Sequence, residues 1–106
     1  MYKTLDTVQI GGHWYSIELT KSCTVDDDMT NSGDTHHQKK HMRVATLISD
    51  GSPRTSSSIE ETLLHELIHS VSHVYHATTT EDQIISLSEG LYQVLKQYGL
   101  KLIEEV

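Results

Sequence analysis

The chain has 106 residues, enough for one domain and too few for a second core. Hydrophobic residues make up 36% of it, with no Phe, so the core must be small and mostly aliphatic, and a bound metal would help to hold it. A formal net charge of −7, from 8 basic and 15 acidic residues, argues against a partner with a phosphate backbone and against anionic lipid.

No apolar run approaches the ~18–20 residues of a membrane span. Met1–Asp6 has no apolar stretch of the kind that opens a signal peptide. A single cysteine, Cys23, has no internal disulfide partner. These features predict a cytoplasmic protein with a reduced thiol and with neither nucleic-acid nor membrane partners. The unusual feature of the composition is 8 His.

In chain order, Val8 and Ile10 alternate with polar residues. Gly11-Gly12 supplies a two-residue turn, and Tyr15, Ile17 and Leu19 alternate after it, which predicts a β-hairpin. Residues 20–40 carry loop chemistry, including Asp26-Asp27-Asp28 and Asn31-Ser32-Gly33-Asp34. A third strand is expected at Met42–Ile48, ended by the turn residues of 49–53. Ser57 with Glu60, or Ser58 with Glu61, fits a capping box, and apolar residues from Ile59 to Tyr75 then recur at helical spacing. The first helix is expected over about 57–76. Thr80 is placed to cap a second helix over about 80–98, with Gly99 as its stop. Strands followed by two helices read as α+β, with a small N-terminal sheet of antiparallel type.

The first helix contains His65-Glu66-Leu67-Ile68-His69. Residues i and i+4 project from one helix face, so two imidazoles can aim at one ion. Glu66, one step round, stands where a general base for a metal-activated water belongs. A catalytic zinc site needs a third protein ligand. In a helical hairpin turning near 77–79, His69 and His65 lie about 10 and 16 Å before the turn, and Glu89 about 13 Å after it, at 1.5 Å per residue. That level makes Glu89 the expected third ligand, with Glu81, Asp82, His73 and His76 as substitutes.

The segments Glu61–His69 and Leu87–Tyr92 resemble those of small phage and prophage metallopeptidases of the gluzincin type, near the minigluzincin and ImmA/IrrE-like families. Gly33-Asp34 and the strand at Met42–Ile48 resemble their upstream half. The resemblance implies one zincin-like domain over residues 1–106. It implies Zn²⁺ held by His65, His69 and Glu89, Glu66 as catalytic base, and a protein or peptide substrate. His73, His76, Tyr75 and Tyr92 are candidate donors to an oxyanion, and Met42–Ile48 is the expected edge strand for substrate pairing. The reading from another class is a non-catalytic, zinc-stabilised interaction module of phage or prophage origin, its metal closed off by a fourth ligand.

Other features have plainer readings. His36, His37 and His41 form a second cluster with Asp34, with two readings: a second metal site, or the plainer polar loop and strand entry. The acid run at 26–28 lacks the spaced ligands of a calcium loop. The tail Leu100–Val106 is open to three roles: disorder, a further strand, or a plug whose Glu104 or Glu105 reaches the metal.

Overall fold

A computed structural model of the protein describes residues 1–25 and 28–106, with the backbone alone for 23–25 and 28–31. The expected Asp26-Asp27-Asp28 loop therefore lies outside the described side chains. The strands are β1 (Tyr2–Lys3), β2 (Thr7–Ile10), β3 (His13–Thr20), β4 (Cys23–Val25), β5 (Asp28–Asn31), β6 (Gly33–His36), β7 (His41–Ala45) and β8 (Glu104–Glu105). Two helices, α1 (Ser56–Val74) and α2 (Glu81–Gln97), stand between β7 and β8.

The hairpin β2–β3 forms as its alternation predicts. Ile10 pairs with His13 across Gly11-Gly12, whose φ values of +56° and +89° suit a mirror-image turn. Ile10 and Tyr15 point into the core, while Trp14 stays exposed. The main sheet runs β2-β3-β7-β6. It is mixed rather than antiparallel: β2–β3 and β6–β7 are antiparallel, but β3 and β7 are parallel, with Ile17 opposite Met42 and Leu19 opposite Val44. The residues between β3 and β7 form the crossover that a parallel pair requires. The segment expected as a loop over 20–40 accordingly contains β4, β5 and β6.

This topology corrects the expected edge strand. β7 is paired on both sides, by β3 and by β6, and the edge strands are β2 and, beside α1, β6. α1 lies against β6 because Gly33 has no side chain. A Cβ there would stand 2.8 Å from Thr62 Cγ2 and 2.9 Å from the Arg43 carbonyl oxygen. Arg54, almost fully buried, staples the same corner. It donates to the Ala45 carbonyl at 2.8 Å, to the Ser58 carbonyl at 3.0 Å and to Thr62 Oγ1 at 2.6 Å.

The core comprises Ile10, Tyr15, Met42, Val44, Ile59, Leu63 and Ile103. It is aliphatic but for one tyrosine, as the composition requires. α1 begins one residue earlier than expected, because Thr55 rather than Ser57 or Ser58 is the cap, accepting from Ser58 N at 3.2 Å. Thr80 caps α2 as expected, with Gln83 completing a reciprocal box. Gly99, at φ +86°, ends it.

The tail is a strand and a core element, not a plug. Glu104 and Glu105 pair with Lys3 and Tyr2, and Ile103 is buried. Glu60 holds the tail in place. Its carboxylate accepts from Leu102 N at 2.8 Å and Ile103 N at 3.4 Å, and from Tyr92 Oη at 2.9 Å and Lys96 Nζ at 3.1 Å. Among the described residues, no helix is long and apolar enough to cross a membrane.

Candidate metal centre

His65 and His69 lie one turn apart on α1, as their spacing requires. Their Nε2 atoms are 3.1 Å apart, with the rings edge to face. The carboxylate that meets them is Glu81, the first residue of α2. Its Oε1 is 2.9 Å from His65 Nε2 and its Oε2 is 2.8 Å from His69 Nε2. Among the described residues, these three alone form a group able to hold a metal ion.

Glu89, the expected third ligand, is exposed and stands outside this group. It lines a neighbouring cleft with Glu61, Thr62, His65 and Glu66. The reason lies in the connection. A tight turn at 77–79 would set Glu89 level with the two histidines. Instead the chain doubles back beside α1: Ala77 N donates to the Ser72 carbonyl at 2.9 Å, and the Thr79 hydroxyl bonds to that of Ser72. Thr79 thus lies level with Ser72, and Glu81 falls level with His69. Glu81 was among the substitutes that the sequence offered.

The donor chemistry fits a cation. The Ser88 hydroxyl donates to the Ile85 carbonyl at 2.9 Å, so towards His65 Nδ1, 3.4 Å away, it acts as acceptor. With a proton on His65 Nδ1, Nε2 would present its lone pair to an ion held between it and Glu81 Oε1. One cation between the three groups satisfies all of them. Tetrahedral zinc, with bonds of about 2.0–2.1 Å, places its donors about 3.3 Å apart, a few tenths wider than the separations here.

Glu66 is turned the other way, towards the sheet, and is 6% exposed. Thr35 on β6 donates to its Oε1 at 2.6 Å. Burial pushes its carboxyl above the usual range, and the Thr35 hydroxyl, His69 and His65 offset part of that rise. The cleft in front is lined by Gly33, Asp34, Thr35, His37, Glu66 and the trio His65, His69 and Glu81. β6 and α1 together therefore bring one buried carboxylate beside one ligand cluster.

The other expected donors are spread out. Tyr92 Oη is bonded to Glu60, and burial and then this carboxylate push the phenol up to about 12. It serves the tail clamp. His73 stacks on His37, with ring centroids 4.0 Å apart, and both line a second cleft with His69, His76 and Glu81. Tyr75 is exposed beside Gly11.

The His36/His37/His41 cluster does not converge. His36 caps the turn at Lys39 N. His41 contacts Ser16 Oγ at 2.6 Å and Glu18 Oε1 at 3.1 Å on β3, and Asp34 pairs with Arg43. Of the three histidines, only His37 reaches the cleft. Its buried Nδ1 has no hydrogen-bond partner among the described residues, and burial, then the neighbouring His73, His69 and His36, hold its pKa below the ordinary value.

Sequence reasoning missed Thr35, Ser88 and His37 as parts of the site. Thr35 sat in an expected loop, and the other two are recognisable only once the fold brings them to the ligands. Comparison with protein-family models, with curated proteins and with solved structures finds no match to this chain, so the reading of the site rests on its own geometry.

Proposed function

We propose that the protein is a zinc-dependent peptidase. The observation that carries this reading is the pairing of a three-donor group, His65, His69 and Glu81, with a buried carboxylate, Glu66, in one cleft. Two imidazoles and a carboxylate are a donor set that suits Zn²⁺, and three protein ligands leave a coordination position for water or substrate. When bound, the metal supplies Lewis acidity and makes a water acidic enough to ionise near neutral pH.

The chain's own residues do the rest. Glu66 accepts a proton from the attacking water and later passes it to the leaving amine. Thr35 holds Oε1, which leaves Oε2 for that transfer. Ser88 keeps the His65 proton on Nδ1 and so keeps Nε2 available to the ion. β6, the edge strand beside the cleft, offers its unpaired side to an extended peptide by strand addition. The three-donor group also favours the peptidase over a zinc-stabilised interaction module, since a structural site is closed by a fourth protein ligand.

The test is elemental analysis of the purified protein, followed by digestion of a mixed peptide library with Glu66→Gln as control. One zinc per chain and cleavage abolished in the variant support the reading. Zinc without cleavage of any peptide would favour the interaction module, and absence of zinc from metal-replete protein would refute both.

A further inference from the structure

The outer face of the main sheet carries a second constellation, built across the parallel pair of β3 and β7. Ser16 stands opposite His41 in the register, and Glu18 lies two residues further on, on the same face of β3. Ser16 Oγ is 2.6 Å from His41 Nδ1, and His41 Nε2 is 3.1 Å from Glu18 Oε1. This face is turned away from the core, since Tyr15 and Met42, which alternate with these residues, are buried.

Neutral His41 allows one arrangement of the protons. An ionised carboxylate only accepts, so Nε2 carries the ring proton and donates it to Glu18. Nδ1 is left with its lone pair, and the Ser16 hydroxyl donates to it. The hydroxyl's other acceptor, the Lys40 carbonyl, is 3.4 Å away, too far for a good O–H bond. A hydroxyl therefore meets a base, and a third group orients that base. Compared with the usual serine triad the two ring nitrogens exchange places, which leaves the proton path unchanged.

The site is open. Ser16 is half-buried, and 34% of the His41 side chain and 51% of the Glu18 side chain are exposed. Trp14, two residues before Ser16 on the same face and also exposed, offers an aromatic surface beside the hydroxyl. The two nearest backbone donors are occupied: Ser16 N bonds to the Lys40 carbonyl at 2.9 Å and Ile17 N to the Asp6 carbonyl at 2.8 Å. The arrangement activates the hydroxyl without a backbone oxyanion hole, which restricts it to donors that carry a good leaving group.

We propose that Ser16 is an activated nucleophile, a site of covalent modification by activated acyl and phosphonyl donors, with His41 as its base and Glu18 as a positioning residue. With an aryl ester, the bond from Ser16 Oγ to the carbonyl carbon forms and the bond from that carbon to the aryl oxygen breaks. The hydroxyl proton passes to His41 Nδ1 and then to the departing oxygen. The inference does not depend on the metal or on peptidase activity.

Treatment of the full chain with an alkyl fluorophosphonate, followed by intact mass and peptide mapping, tests it. The Oγ–P bond forms, the P–F bond breaks, and fluoride leaves. One adduct per chain is expected, on Ser16, and none in Ser16→Ala. His41→Ala should slow the reaction at least about 100-fold, the contribution of a general base. Glu18→Ala should slow it about tenfold or more. Long-range proton–nitrogen NMR should show His41 protonated on Nε2 in the native protein, with that preference lost in Glu18→Ala, a change that a merely structural glutamate would not give. If His41→Ala fails to fold by circular dichroism, Glu18→Ala decides the matter. The proposal is overturned by an adduct that avoids Ser16, by a Ser16 that reacts no faster than the exposed Ser56, or by a rate that both substitutions leave unchanged.

Discussion

Thr35 Oγ1 donates to Glu66 Oε1 at 2.6 Å, joining the edge strand β6 to the buried carboxylate of α1. This bond favours the ionised carboxylate and offsets part of the rise in pKa that burial imposes. Thr35→Val should therefore move the Glu66 pKa further up. A base must be ionised to act, so the acid limb of the pH–rate profile should shift to higher pH. Carboxyl-carbon NMR of Glu66 in metal-free protein would report the same direction without any substrate. A profile and a titration that stay where they were would remove Thr35 from this role.

The ligand assignment separates two glutamates. Glu81→Ala should lower zinc affinity by more than about 100-fold, as loss of a direct ligand outweighs loss of an outer partner. Glu89→Ala should leave it close to native. Ser88→Ala, which frees the His65 tautomer, should cost about 10–100-fold. Competition with a chelating dye measures all three, and retention in Glu81→Ala with loss in Glu89→Ala would reverse the assignment.

Glu60 gives a pH dependence of stability. Burial raises its pKa, but the Leu102 amide, Lys96, Tyr92 and the Ile103 amide outweigh that and hold it below the usual value. A depressed carboxylate contributes stability that is complete above its unfolded pKa, near about 4.3, and is lost as pH falls through the folded pKa. The urea midpoint should accordingly drop below pH of about 4, and Glu60→Gln should flatten that drop while lowering stability at neutral pH. Tyr92→Phe removes one of the bonds and should cost about 1 kcal/mol.

Gly33 sets how closely β6 and α1 approach. Gly33→Ala forces a methyl to within 2.9 Å of the Arg43 carbonyl and 2.8 Å of Thr62 Cγ2. Overpacking of this kind costs typically about 1–3 kcal/mol. Thermal unfolding should show that loss, and β6 should move away from α1, weakening the Thr35–Glu66 bond as well. An unchanged melting temperature would mean that the helix yields freely at this contact.

The α+β order, the hairpin on Gly11-Gly12, the Thr80 cap and the placing of His65, Glu66 and His69 on one helix were all legible in the sequence. Each rests on local physics: strand alternation, turn conformation, capping and the 3.6-residue period. The parallel pairing of β3 with β7 was not legible, and nor was the position of β6 at the edge, because short polar strands carry no period that separates them from loop. That Glu81 rather than Glu89 meets the two histidines was decided by the return of residues 77–80 along α1, a path with no sequence signature of its own. Thr35 and Ser88 gain their roles only from partners 31 and 23 residues away. Helical spacing within one segment determines that His65, Glu66 and His69 share α1, whereas Glu81, Ser88 and Thr35, which complete the site, come from other elements and are selected by packing alone.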